Sequence, residues 1–435
     1  MRTLKIIIVS IFFMPLPGIA QVKLSLDNCL SILEEKNRSY LIIKTNETID
    51  EQRIFQEKDK LIPPLNLSMY NGLLTGRSIN PTTNLFENNF MFYQNFGLQT
   101  YYPILDWGRR RYSIRQNKFF YESSRYRSKS NLLEQKIKLI LYYFDILKYQ
   151  NSISITYLMN SHLKHLLQLS DSLQRVQKDI RITGQEIKVR ILTDSINVIN
   201  YEKEVFNKKI ELADLLGMDY DTQIELVDDK KTTSEFFYSS EEEIIKKLNE
   251  SAPDILAQES KIEGLIMGLK LLEKSKLPVL GVNIGISTNY SKLFDSKSDD
   301  YFKSLHNNLG GNAAIQINIP LYDQNQRKRQ TKIARAELTK ENLQLETLKS
   351  NLFTSVLSTF NSYKKQQKEL SIRKANLVLL TEILSSKKEL FLAKKVTIKD
   401  FLEDFNRVSM GELEIANTQA SIACYENLLK IYLND

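Results

Sequence analysis

Four windows of the 435-residue chain, residues 61–76, 88–105, 277–291 and 304–322, contain no Asp, Glu, Lys or Arg. Charged residues make up 26% of the whole, so runs this long without one mark segments that meet a different solvent from the rest. Within them apolar and polar residues alternate. Leu280, Val282, Ile284, Ile286 and Tyr290 oppose Gly281, Asn283, Gly285, Ser287 and Asn289, while Ala313, Ile315, Ile317 and Ile319 oppose Asn312, Ala314, Gln316 and Asn318. Phe90, Phe92, Phe96, Leu98 and Tyr102 likewise stand opposite Asn89, Tyr93, Asn95 and Gln99. A period of two is the strand period, and it predicts strands over about 65–73, 89–102, 279–290 and 311–320. A soluble sheet usually dresses its wet face with Lys and Glu, whereas these polar faces carry Asn, Gln, Ser and Gly. Aromatics at the strand ends (Tyr101, Tyr102, Trp107, Tyr290, Tyr322) match the girdles of a membrane barrel.

The prolines divide the chain into two similar halves. Beyond the first 20 residues they are Pro63, Pro64, Pro81, Pro103, Pro253, Pro278 and Pro320. None falls between Pro103 and Pro253 or after Pro320, which leaves two spans free to be long helices. The spans read as helix pairs over 110–180 with 185–217 and 326–390 with 395–433; a single helix over the first would be on the order of 100 Å long. "KLIPPLNLS" (60–68) aligns with "SKLPVLGVN" (275–283), and "YPILDWGRRR" (102–111) with "IPLYDQNQRK" (319–328). Each half thus reads helix, strand, strand, helix, helix: a first repeat over 21–218, a linker over 219–240 and a second repeat over 241–435.

Four strands cannot close a barrel, and open strand edges are intolerable in lipid. Two chains would supply about eight strands and a filled interior, three about twelve and a wet lumen; the small polar inner face favours three. The fold class expected is an α+β membrane protein, a trimeric barrel of about twelve strands continuous with a long α-helical coiled-coil tube. The first 20 residues, with Arg2, Lys5, an apolar run from Ile6 to Leu16 and a small-x-small close, read as a secretory signal peptide. A formal charge of +8 is interleaved with acids along helix faces, so nucleic acid is not the expected partner.

With these residues in place, the chain resembles the TolC-like outer-membrane efflux and secretion channels. The resemblance rests on "LSLDNCLSILEEKN" (24–37), the Pro103 to Arg110 element, "LLGMD" (215–219) and the closing stretch 393–433. "GRSINPTTN" (76–84) looks like the first outer loop of Bacteroidetes-type members. The resemblance implies a homotrimer in the cell outer membrane with a long periplasmic extension. It also implies a periplasmic adaptor protein as partner and, through it, an inner-membrane RND or ABC transporter. The function it implies is a passive exit duct for small molecules or proteins, in a tripartite efflux pump or a type I secretion system. Adaptor-docking tips would fall at Thr183 and Gly184 and at Val396 and Thr397. The family's acidic periplasmic constriction maps to Asp400 and Glu403, one helix face apart by three residues, with Glu186 as first-repeat counterpart. The sequence departs from the family at Lys394, where glycine is usual, and at Asn325 and Gln326 in the second joint.

The strand-to-helix joints are Pro103, Asp106, Trp107, Gly108 and Arg109 in the first half and Pro320 and Asp323 in the second. Pro103 should end the incoming strand, Asp106 should cap the next helix, and Trp107 suits a membrane interface. Nothing else carries chemistry. His162 and His165 lack a third ligand, no phosphate loop or nucleophile elbow occurs, and neither a metal, a cofactor nor an enzymatic activity is expected. The competing class is an exported periplasmic coiled-coil structural protein without a pore.

Overall fold

The computed structural model describes residues 22–79, 84–173, 180–219, 224–227, 240–294, 300–393 and 395–433. The proposed signal peptide and Lys394 lie outside them, as does much of the 219–240 linker. The elements in chain order are β1 (Val22–Leu24), α1 (Leu26–Lys36), α2 (Arg38–Asp59), β2 (Asn66–Ile79), β3 (Phe86–Leu105), α3 (Arg109–Leu173) and α4 (Ile180–Leu215). There follow β4 (Ile224–Leu226), α5 (Glu241–Ser251), α6 (Pro253–Lys274), β5 (Val279–Leu293), α7 (Tyr301–Asn307), β6 (Gly310–Asn318), α8 (Gln326–Leu392) and α9 (Ile398–Leu433). Among the described residues no helix is long and apolar enough to cross a membrane.

Helix limits follow local chemistry. Ser25 and Ser240 cap α1 and α5, their hydroxyls accepting from the N–H groups of Asn28 and Glu243, each at 3.3 Å. Pro253 opens α6, where a missing N–H costs nothing. α4 stops at Gly217, whose φ of +63° lets the Met218 N–H reach back to the Ala213 carbonyl at 2.9 Å. α3 and α8, 65 and 67 residues long, contain neither glycine nor proline.

The chain divides into two compact units. The first comprises residues up to Ile43, Ser128–Ala252 and Lys349 onward. Its core joins Leu33 of α1, Leu139, Ile140 and Ile146 of α3, Leu212 of α4, Leu216, Leu226 of β4 and Leu428 of α9. Cys29 and Cys424 are both free and buried in this core, and burial pushes each thiol up to about 12. β1 and β4 form a parallel pair at its edge, Val22 beside Ile224 and Leu24 beside Leu226. The Asn37 amide donates to the Leu215 carbonyl at 2.7 Å and its oxygen accepts from the Tyr40 N–H, tying the α1–α2 junction to the end of α4.

The second unit comprises Lys44–Arg127 and Pro253–Leu348. It holds an antiparallel sheet in the order β2-β3-β5-β6, together with the portions of α2, α3 and α8 in those ranges and α6. Glu341, buried on α8, takes hydrogen bonds from Gln258 (2.8 Å) and Lys261 (2.7 Å) of α6. Gly264 admits the Phe120 ring where a β-carbon would lie 2.6 Å from it.

The strands differ from the alternation pattern at their ends. β2 and β3 pair from Asn66 with Gln99 to Ile79 with Phe86, so the hairpin climbs into residues whose composition reads as loop. Main-chain bonding needs no apolar side chain, and the ladder continues where alternation has stopped. β3 runs on to Leu105, and Pro103 sits in a bulge between its pairing with Gly281 and that of Leu105 with Leu280. Pro103 therefore does not end the strand. Its missing N–H is absorbed by the bulge. The second loop contains α7, which the sequence pattern does not announce.

Candidate functional site

The sheet separates its side chains by chemistry. The pairings place Leu67, Met69 and Leu73 of β2, Phe92, Phe96 and Leu98 of β3, Leu280 to Ile286 (even positions) of β5, and Ala313, Ile315 and Ile317 of β6 on one face. Much of this face is bare: Leu67 is 77% exposed and Ile315 74%, with Ile284, Ile286 and Ile317 also exposed. The opposite face carries Ser68, Tyr70, Gly72, Tyr93, Asn95, Gln99, Tyr101, Gly281, Asn283, Gly285, Ser287, Asn312 and Gln316, none charged. The Tyr93 and Tyr101 rings occupy the space over Gly72 and Gly281, within 2.6 Å of where a β-carbon would stand. β2 and β6 each leave an outer edge with no partner strand among the described residues. A bare apolar face and two open edges would make a soluble sheet aggregate.

At each joint the chain turns from strand to helix through two residues in the left-handed region: Trp107 and Gly108 (φ +58° and +80°), then Gln324 and Asn325 (φ +55° and +61°). Trp107 and Gln324 are strained there, and an aspartate braces each turn. Asp106 accepts from the N–H groups of Gly108 (3.0 Å) and Arg110 (3.2 Å) and from Arg110 Nε (2.7 Å). Burial works to raise the Asp106 carboxyl, but these bonds from Arg110 and Gly108 outweigh it and hold the group below the usual carboxylate range. Arg110 also donates to the Pro103 carbonyl and lies 4.8 Å over the Tyr102 ring. The Trp107 indole N–H donates to the Pro278 carbonyl at 2.6 Å, linking the first joint to the start of β5. In the second joint Asp323 accepts from the Arg327 N–H (3.1 Å) and pairs with Arg327 Nε at 3.2 Å. Arg109 contributes its main-chain N–H to the Asp106 carbonyl at 3.0 Å, while Arg110 and Arg327 brace the turns through their side chains. Their spacing four residues after an aspartate was the signal for them.

The carboxylates at the start of α9 have different surroundings. Thr397 caps the helix, its hydroxyl accepting from the Asp400 N–H (3.2 Å) and donating to Asp400 Oδ2 (2.6 Å). That bond from Thr397 holds the Asp400 carboxyl below its ordinary range. Glu403 is exposed and paired with Arg407 at 2.8 Å. Asp404, one position on, is 2% exposed and is held by Lys387 of α8 and by Arg407 at 3.4 Å. In the sequence Asp404 stands out only as a third acid beside Asp400 and Glu403, and no local pattern points to Lys387. Val396 is half-buried in the α8–α9 turn. Thr183 and Gly184 lie in the first turns of α4, which begins at Ile180, and residues 174–179 before it lie outside the described residues. Glu186 is exposed on α4, and its neighbour Ile187 is buried in a cluster with Phe401, Leu402 and Phe405 of α9. Further along α4 the buried Asp194 pairs with Arg190 at 3.1 Å, and burial pushes its carboxyl up.

No family model matches the chain, and no curated protein matches it. Its structure is similar to several solved ones. CusC, described in terms of folding and transmembrane channel formation, matches at TM-score 0.80 and 15% identity, over 94% of this chain and 91% of that one. The outer membrane protein VceC from Vibrio cholerae matches at TM-score 0.80 and 13% identity, over 94% and 95%. The Campylobacter jejuni CmeC outer membrane channel matches at 0.79 and 15%, over 94% and 85%. At these identities it is the fold that is shared, and it is shared along nearly the whole chain. The chain has the fold of these outer-membrane channel proteins.

Proposed function

We propose that this chain is one subunit of a homotrimeric, TolC-like channel of the cell outer membrane, acting as the passive exit duct of an efflux pump or type I secretion system. The observation that carries this reading is the sheet. A largely bare apolar face suits lipid, a polar face of Asn, Gln, Ser, Gly and Tyr suits a wet lumen, and two open edges call for other copies to close the ring. Three copies of a four-stranded sheet make about twelve strands, a barrel wide enough for water. The long helices then serve as the periplasmic conduit. A periplasmic adaptor would dock around Thr183 and Gly184 and around Val396 and Thr397, linking the duct to an inner-membrane RND or ABC transporter. Asp400 and Glu403, repeated around a three-fold axis, would form an acidic periplasmic constriction that favours cations. The fold shared with CusC, VceC and CmeC supports the same reading.

The test is fractionation followed by reconstitution. The mature protein should be recovered in the outer-membrane fraction, cross-link to a trimer and form pores in planar bilayers. Recovery only in the soluble periplasmic fraction would overturn the channel reading in favour of a pore-free coiled-coil protein.

A further inference from the structure

The segment between β5 and β6 folds back onto the sheet. α7 is held there by Tyr301, whose ring meets Tyr290 edge-on at 4.8 Å and whose hydroxyl donates to Gln94 Oε1. The Thr288 hydroxyl donates to the Leu305 carbonyl, and the Asn308 amide donates to the Asn289 carbonyl at 2.9 Å. Gln94, Thr288 and Tyr290 belong to the same face as Ile284 and Ile286. α7 thus covers the outer end of the face that is bare further down. The rest of α7 is open: Phe302 is 78% exposed, and Lys303 and His306 are exposed beside it. Among the described residues Asp300 is the acid at the start of α7, and it caps the helix through the Phe302 N–H at 3.1 Å. Next to α7, Lys292 is exposed, and the exposed Phe294 stacks on Phe90 at 4.2 Å.

We propose that α7 is a membrane-interface strap. Phe302 and Phe294 enter the boundary between headgroups and acyl chains of the outer leaflet, and Lys292, Lys303 and His306 meet its phosphate-bearing headgroups. The inference rests on the membrane reading above and sets the depth at which the sheet sits. β5 spans 15 residues, roughly 46 Å of strand and roughly 35 Å of height at a tilt of about 40°. The lipid-facing band of such barrels is about 25 Å tall. With its lower edge at the start of β5, about the last four residues of the strand emerge above it, and Tyr290, the anchor of α7, is the first of them. Aromatic bodies with cationic neighbours are the side chains that partition to that level.

Site-directed fluorescence quenching tests this. Cys29 and Cys424 are buried with their thiols pushed up to about 12, so an added exposed cysteine labels selectively in the folded chain. Phe302→Cys, Ile315→Cys and Glu346→Cys would each be labelled with bimane. The full-length protein would then be reconstituted in phosphatidylethanolamine–phosphatidylglycerol vesicles carrying nitroxide either on the headgroup or deep in the acyl chain. Position 302 should be quenched several-fold more by the headgroup nitroxide, 315 more by the deep one, and 346 by neither. Quenching of 302 by aqueous iodide alone, or shielding from lipid and iodide alike as between copies, would overturn the proposal while 315 still reports lipid. Loss of lipid quenching at 315 as well would instead overturn the membrane reading. Phe294→Cys supplies the same readout if Phe302→Cys does not assemble. Replacing Lys292, Lys303 and His306 together by Gln should reduce headgroup quenching at 302 at least twofold, and no change would remove the headgroup contacts from the proposal.

Discussion

Asp106→Ala should be among the costliest single changes on the sheet-bearing unit, and about twice as costly as Asp323→Ala. Removing the Asp106 carboxylate deletes a helix cap of about 1 kcal/mol. It also strips Arg110, 19% exposed, of its charge-assisted bond, which adds about 2 kcal/mol. The total is about 3 kcal/mol. Asp323 braces one N–H and a more open arginine pair, 26% and 28% exposed, for about 1.5 kcal/mol. Trp107, the chain's one tryptophan, sits in the first joint and reports on it directly. Urea unfolding in detergent, followed by its fluorescence, would measure both variants. Asp106→Asn, which keeps an acceptor for the Gly108 N–H but loses the ion pair, should fall between wild type and Asp106→Ala. The folded carboxyl is held below its unfolded range, so its contribution is full above about pH 4. It is lost as pH falls through the lower folded value, and the Asp106→Ala penalty should shrink there. Equal costs at the two joints, or a penalty for Asp106→Ala under about 0.5 kcal/mol at pH 7, would refute the reasoning.

Other perturbations follow from single contacts. Gly217→Ala should cost about 2 kcal/mol in thermal or denaturant unfolding, because φ there is +63° and a β-carbon would lie 2.8 Å from the rigid Lys36 carbonyl oxygen. Lys387→Met leaves the buried Asp404 to Arg407 alone and should cost about 2–3 kcal/mol. Adding Asp404→Leu should return at least about 1 kcal/mol of that, and strict additivity in the double-mutant cycle would argue against coupling. Asp400→Asn with Glu403→Gln should lower cation selectivity in planar bilayers, whereas unchanged reversal potentials would count against the acidic ring.

Much of the architecture was legible in the chain because it depends on local periodicity. Alternation in charge-free windows located all four strands of the sheet, since a period of two assigns each side chain a face wherever the strand lies. Spans free of proline located the long helices for the same reason. Asp106 could be read as a cap because a cap acts within four residues, and Asp323 as its counterpart in the second joint. The β1–β4 pair could not be read, since two three-residue strands some 200 positions apart have no pattern of their own. Nor could α7, seven residues long, whose stability comes from Tyr301 against Tyr290 and not from its own turns.

The acids of α9 show the division most sharply. Sequence spacing marks Asp400, Glu403 and Asp404 as neighbours on a helix, but their fates differ: one caps, one is solvated beside Arg407, and one is buried under Lys387. By itself the sequence determined the strand faces, the long helices and the two turning points, because those are consequences of residue order along one segment. The tertiary structure alone decided which edges stay open, which carboxylate loses its water and where α7 covers the apolar face. Those outcomes depend on segments brought together from distant parts of the chain, and no local pattern records the solvent that such a meeting removes.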